Sequence, residues 1–145
     1  MIVVDTNVLS ELWRVAPDPK VMAWMDAQVV ETLFLSAITV AELRFGLAAM
    51  PQGKRRTIYQ ERLEREVLPA FAGRVLPFDL DASKAYGELM ARARAAGLAI
   101  GNADGYIAAT AAAHGLIVAT RDTSPFEAAG IEVIDPWKVL PPASH

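Results

Sequence analysis

Cysteine is missing from all 145 residues, which removes disulfides, thiolate zinc sites, iron–sulfur ligation and cysteine nucleophiles together. Histidine is almost as scarce, with only His114 and His145, so a histidine-rich zinc site is excluded as well. Long apolar runs are lacking too. The longest stretch without a charged residue, Gly105 to Thr120, has sixteen residues and includes a glycine and a histidine, too short and mixed for a bilayer span. Met1-Ile2-Val3-Val4 runs directly into Asp5 without the basic flank or small-residue cleavage site of a secretory signal. An excess of positive charge is also absent. The formal net charge is −3, which argues against a protein whose whole surface grips nucleic acid, though acids that hold cations can still attract phosphate. What is present is apolar: hydrophobic residues make up 53%, charged residues 21%, and mean hydropathy is +0.25. That composition excludes a disordered tail and supports one domain of ordinary size with a substantial core. The expectation is a cytoplasmic α/β domain whose metal chemistry, if it has any, uses oxygen ligands.

Short β-like runs alternate with longer helical stretches. Ile2-Val3-Val4 ends at Asp5 like a buried parallel strand, and a short helix follows from about Asn7 to Trp13. Asp18-Pro19 opens a second helix with Val21, Trp24, Met25 and Val29 on one face. Thr32 to Leu35 reads as a strand and Thr39 to Met50 as a helix. Between Arg55 and Phe71, Tyr59, Leu63, Val67 and Phe71 recur every four residues on a charged cylinder. Pro69 is expected to bend or fray its last turn. Arg74-Val75-Leu76 is a third strand, and Asp79 or Asp81 caps a helix ended by Gly97. A helix from about Asn102 to His114, a strand at Leu116 to Ala119 and a weak strand at Glu132 to Ile134 complete the pattern. This alternation predicts a three-layer α/β/α fold around a mostly parallel central sheet, one domain over residues 1–138 and a flexible tail at 139–145.

Function in such sheets gathers beyond the carboxyl ends of the strands. Four acids are placed to stand there: Asp5 after the first strand, Glu42 one turn into the helix after the second, Asp104 in a first helical turn, and Asp122 after the Leu116–Ala119 strand. Each has a local explanation. Thr39-x-x-Glu42 matches a capping box, Asp104 complements a helix dipole behind an Asn102 cap, and Asp5 and Asp122 suit Asx turns that start helices. Jointly the local explanations weaken. Carboxylates ~5 Å apart at an effective dielectric of about 20 repel by roughly 3 kcal/mol per pair, which a fold tolerates when a hard divalent cation sits between them. Oxygen-only ligation selects Mg²⁺ or Mn²⁺, whose usual work in such a cluster is phosphodiester hydrolysis.

Four segments carry a family resemblance: Ile2-Val3-Val4-Asp5-Thr6-Asn7-Val8-Leu9, Leu35-Ser36-Ala37-Ile38-Thr39-Val40-Ala41-Glu42-Leu43, Ala103-Asp104-Gly105-Tyr106-Ile107-Ala108-Ala109-Thr110-Ala111 and Val118-Ala119-Thr120-Arg121-Asp122. In this order and spacing the chain resembles the PIN-domain ribonucleases, in particular the toxins of VapBC-type toxin–antitoxin pairs close to the FitB-like branch. The resemblance implies that Asp5, Glu42, Asp104 and Asp122 are the catalytic and metal-binding quartet for Mg²⁺ or Mn²⁺. It implies that Thr6, Asn7 and Thr120 orient carboxylates or water, although Thr120 equally suits a structural hydroxyl at a strand end. It further implies endoribonucleolytic cleavage leaving a 5′-phosphate and a 3′-hydroxyl, so as to inhibit translation and growth. The implied partners are RNA, a cognate VapB-type antitoxin that covers the pocket, and a second copy in a homodimer, with higher hetero-oligomers in the antitoxin complex; no membrane is involved.

Other residues fit blander roles. Glu11 reads as solvated surface, with a water-mediated metal contact as the alternative, and His114 as a helix C-terminal residue. Ser10 and Ser36 have no histidine base nearby. Six of the fourteen basic residues lie between Lys54 and Arg74, interleaved with Glu61, Glu64 and Glu66 as a helix laced by ion pairs. Lys54-Arg55-Arg56 could steer RNA, but Arg44 and Arg121 are the better phosphate candidates. Trp13, Trp24 and Phe45 suit either the core or an antitoxin groove. A non-catalytic α/β signalling or RNA-binding scaffold is the alternative function. A phospho-receiver would want two adjacent acids after the first strand, where Thr6 follows Asp5, and an aspartate-nucleophile phosphatase would want an acid at Asn7.

Overall fold

A computed structural model describes residues 1–139 of the chain; residues 140–145, nearly all of the expected tail at 139–145, lie outside the described residues. The strands are β1 (Ile2–Val4), β2 (Leu33–Ser36), β3 (Val75–Leu76), β4 (Ile117–Ala119) and β5 (Val133–Ile134). They form one sheet in the order β3-β2-β1-β4-β5, and every adjacent pair is parallel. Val3 stands in register with Phe34 on one side and Val118 on the other. The expected mostly parallel sheet is thus parallel throughout.

Helices cover both faces, which is why β1 is apolar and buried at all three positions. Alternation along β1 divides the core. Ile2 and Val4 join Val8, Leu35, Leu43, Leu63 and Trp24 beneath one helical layer, while Val3 joins Ile107, Val118, Leu89 and Phe126 beneath the other. The helices are α1 (Thr6–Leu9), continued by a 3₁₀ turn at Ser10–Trp13, α2 (Pro19–Ala27), α3 (Ala37–Ala48), α4 (Lys54–Arg62), α5 (Leu68–Ala70), α6 (Leu80–Ala95), α7 (Asn102–Ala113) and α8 (Ser124–Ala128). Among the described residues none is long and apolar enough to cross a membrane.

Two capping expectations are corrected. Helix α3 begins at Ala37, because Ser36 Oγ accepts the Ile38 N–H at 3.1 Å; Thr39 is a buried residue inside the helix rather than its cap. Helix α7 is capped by Gly101, with no side-chain bond, and Asn102 is its first helical residue. The helix expected from Arg55 to Phe71 runs through α4 and α5, joined by a π-helical turn at Leu63–Val67 in which the Leu68 N–H reaches back to the Leu63 carbonyl. Pro69 has no N–H to offer and its ring would crowd the carbonyl four residues earlier, so the widened turn accommodates it and the helix does not fray there. Leu63, Val67 and Phe71 are buried as their spacing predicts. Asp79, not Asp81, caps α6 by accepting the Ala82 N–H at 2.9 Å.

Candidate functional site: an acidic cluster at the carboxyl edge of the sheet

The strand order reverses direction at β1, with β2 and β3 to one side and β4 and β5 to the other, and such a switch point opens a crevice beyond the carboxyl ends. Asp5 stands there. Its N–H continues the ladder to the Ala119 carbonyl at 2.9 Å, and its carboxylate caps α1 by accepting the Thr6 N–H at 2.8 Å. The other oxygen accepts the Thr120 hydroxyl at 2.8 Å and the Asn7 amide at 3.4 Å. Asp5 is only 4% exposed. Burial raises its pKa from an ordinary 3.8 to about 6; the Thr120 and Thr6 hydrogen bonds oppose that rise, and the negative charges of Asp104 and Glu42 add to it.

The Thr120 hydroxyl has one proton, given to Asp5, and it accepts from Asn7 Nδ2 at 3.2 Å and from the Asp122 N–H at 3.2 Å. One hydroxyl at the end of β4 therefore ties the Asp5 carboxylate to the loop carrying Asp122. Asn7 closes the loop from the other side, its Oδ1 accepting the Arg121 N–H at 3.2 Å. Thr6 does the corresponding work for Glu42, donating to Oε1 at 2.7 Å, with the buried Thr39 hydroxyl 3.3 Å behind it. Thr39 was hidden from sequence reading because a capping box offered an adequate local role.

Asp104 lies in the first turn of α7. Its pKa is raised by burial first, then by Asp122 and Glu42. Gly105 explains how α7 sits so low: a Cβ there would lie 2.9 Å from Met90 Sδ and 3.1 Å from Tyr86 Cε2 on α6. The charges of Asp5, Glu42, Asp104 and Asp122 thus act on one another across the crevice. The arrangement is open, since among the described residues no three histidine, cysteine, aspartate or glutamate side chains stand close enough to form a ready-made metal cage. Nor does any Lys or Arg among the described residues pair with the four acids; the ion pairs there are Arg14–Glu11 and Arg44–Glu64.

Several other expectations change. Glu11 is not solvated: it is 3% exposed, accepts the Asp18 N–H at 2.9 Å and lies 3.7 Å from Arg14. Arg44 is not free for phosphate, because both ends of its fork bond Glu64 at 2.8 and 3.0 Å. The pair holds the Glu64 pKa down and the Arg44 pKa up through the same hydrogen bonds. The α4 helix is laced differently from expectation among the described residues. Arg55 and Arg62 lie over the Tyr59 ring, Arg56 bonds the Met50 carbonyl and Arg62 the Leu12 carbonyl. Trp13 and Trp24 are core, whereas Phe45 is 76% exposed. His114 ends α7 as expected.

The donor set is all oxygen, which suits a hard divalent cation and no softer one. The PIN domain family matches residues 2–131 of the chain. VapC ribonuclease Y4jK of Sinorhizobium fredii is 74% identical over 138 residues, covering 95% of this chain and 99% of that protein. Toxin FitB of Neisseria gonorrhoeae is 51% identical over 137 residues, covering 94% and 99%. The crystal structure of FitAcB from Neisseria gonorrhoeae superposes with a TM-score of 0.94 at 50% identity, covering 96% of this chain and all of that one.

Proposed function

The chain belongs to the PIN-domain family, and on that footing we propose that it is a ribonuclease toxin of a toxin–antitoxin pair, hydrolysing RNA phosphodiester bonds at the acidic cluster with Mg²⁺ or Mn²⁺. The observation that carries this reading is the buried Asp5 carboxylate facing further carboxylates, with no ion pair to any of the four acids among the described residues. Similarity to a protein named a VapC ribonuclease and to one named a FitB toxin supports the activity and the toxin role.

Asp5, Glu42, Asp104 and Asp122 would hold the ion, which when bound supplies charge to the phosphate and an activated water. The chain's own contribution is orientation. Thr120 and the Thr6 N–H fix the Asp5 carboxylate by opposite oxygens, and the Thr6 hydroxyl fixes Glu42. Hydrogen-bonded partners of this kind keep ligand carboxylates aimed, and their loss typically costs 10–100-fold in metal affinity or activity. Burial keeps Asp5 near its neutral form at mildly acidic pH, so ion binding must displace a proton there and weakens as pH falls.

Residues 1–138 act as one PIN domain in this reading. Its partners are RNA, a second copy of the chain in a homodimer, and a small VapB-type antitoxin protein, all in the cytoplasm. The open spacing of the acids is what a non-catalytic scaffold would also show, and metal dependence decides between the two. Purified antitoxin-free protein should cleave single-stranded or loop RNA with Mg²⁺ or Mn²⁺ and stop in excess EDTA. Undiminished cleavage in EDTA would remove the metal mechanism; no cleavage with either ion across a total-RNA substrate would favour the scaffold.

A further inference from the structure

We propose that Arg121, whose guanidinium lies over the Trp137 ring, forms a phosphate-binding subsite for the RNA backbone beside the acidic cluster; the proposal rests on the ribonuclease reading above. A polyanion approaching four carboxylates on a chain of net charge −3 needs a cation close by. Most of the well-placed arginines are occupied. Arg44 spends its fork on Glu64, Arg74 bonds main-chain carbonyls, and Arg56 and Arg62 each give one N–H to a main-chain carbonyl. Arg121 differs in three ways.

Its backbone is part of the site, lying between Thr120 and Asp122 with its N–H on Asn7 at 3.2 Å. Its side chain is exposed and makes no ion pair among the described residues. Its guanidinium carbon lies 5.1 Å from the Trp137 ring centre; the Trp137 side chain packs on the core, and its backbone N–H donates to Asp135 Oδ1 at 2.9 Å. A cation–π contact holds the guanidinium in place without an ion pair, so its N–H donors stay available to a phosphate.

Arg121 and Trp137 line a groove of about 490 Å³ with Arg14 and Asp18. The acids of that groove are turned to other work, Glu11 accepting the Asp18 N–H and Asp18 the Lys20 N–H. The occupant whose chemistry fits is therefore a backbone phosphate of the RNA. Trp137 is a positioning residue acting through Arg121.

The test is binding of a fluorescein-labelled single-stranded RNA 20-mer pool of randomised sequence, in EDTA so that nothing is cut, across a salt series. Arg121→Gln should weaken binding ~tenfold, the size of one charge-assisted hydrogen-bonded contact, and flatten the slope of log affinity against log salt by about 0.7. Lys84→Gln on α6, the same charge change elsewhere, should leave that slope alone. Trp137→Leu should fall between wild type and Arg121→Gln, and Trp137→Phe, which keeps a ring, should recover most of the loss. Equal slopes for Arg121→Gln and wild type would overturn the subsite, as would wild-type protein that binds none of this RNA. Equal binding by Trp137→Leu and wild type would overturn the positioning role. Cleavage in Mg²⁺ is measured separately, so an active wild type with an unaffected Arg121→Gln variant sinks the subsite and leaves the ribonuclease reading standing.

Discussion

Asp5 and Glu11 lie six positions apart in one segment, are 4% and 3% exposed, and face opposite surroundings. Around Glu11 the chain folds back so that the Asp18 N–H and the Arg14 guanidinium meet the carboxylate. Around Asp5 the nearest charges are those of Asp104 and Glu42, and they raise its pKa further beyond what burial does. Degree of burial does not separate these two acids. What each carboxylate faces does: a donor with positive charge makes a staple at Glu11, and further carboxylates raise the cost of ionising Asp5.

The comparison breaks most visibly by substitution at Asp5. Asp5→Asn keeps the shape and an acceptor for the Thr6 N–H, so it should abolish cleavage without unfolding the protein. Its effect on metal-free stability has a definite sign. A carboxyl whose pKa rises from 3.8 unfolded to about 6 folded contributes stability that is fully present below the lower value and lost as pH rises through the upper one. At pH 8 the ionised wild type therefore carries a penalty of about 3 kcal/mol that Asp5→Asn escapes, and at pH 4 the advantage should have nearly vanished. Urea melts in EDTA at the two pH values check this. Saturating Mn²⁺ should raise wild-type stability by about 2.7 kcal/mol at a hundredfold excess over its dissociation constant, an increment that Asp5→Asn should lose. A variant less stable than wild type in EDTA at pH 8, yet still stabilised by Mn²⁺, would reduce Asp5 to a helix cap.

Glu11→Ala should act in the reverse sense and somewhat more weakly. It strands the Asp18 N–H, costing about 1–3 kcal/mol, while the exposed Arg14 charge stays solvated and the Mn²⁺ increment and cleavage per folded molecule survive. Loss of that increment in Glu11→Ala would erase the contrast between the two acids. Arg44→Gln is the smallest expected effect. Its pair with Glu64 has side chains 56% and 48% exposed, so it is worth about 0–1 kcal/mol and less in high salt. A drop in RNA affinity with unchanged stability would return Arg44 to phosphate binding.

Much of this molecule was legible in its spacing. Short continuous apolar runs mark strands buried on both faces and three-to-four-residue spacing marks helices, so the element order and the parallel sheet could be read directly. The four-residue stripe through Leu63, Val67 and Phe71 survived even the π-helical turn, because a widened turn shifts the register by one residue and the stripe spans only two turns. The errors share one cause. Thr39–Glu42 and Asn102 each matched a local capping pattern, but Ser36 and Gly101 had already ended the preceding segments. Glu11 reads as solvated and Arg44 as a phosphate candidate in sequence because their partners, Asp18 across a folded loop and Glu64 on another helix, leave no mark at short range.

Composition and periodicity by themselves determined the chemistry available: no thiolate, almost no imidazole, oxygen donors only, and a sheet whose carboxyl edge collects them. Only the tertiary structure decided which of those oxygens are spoken for. A hydrogen bond or an ion pair is settled within about 3–4 Å, and residues 20, 36 or 115 positions apart come within that distance solely because the core packs as it does.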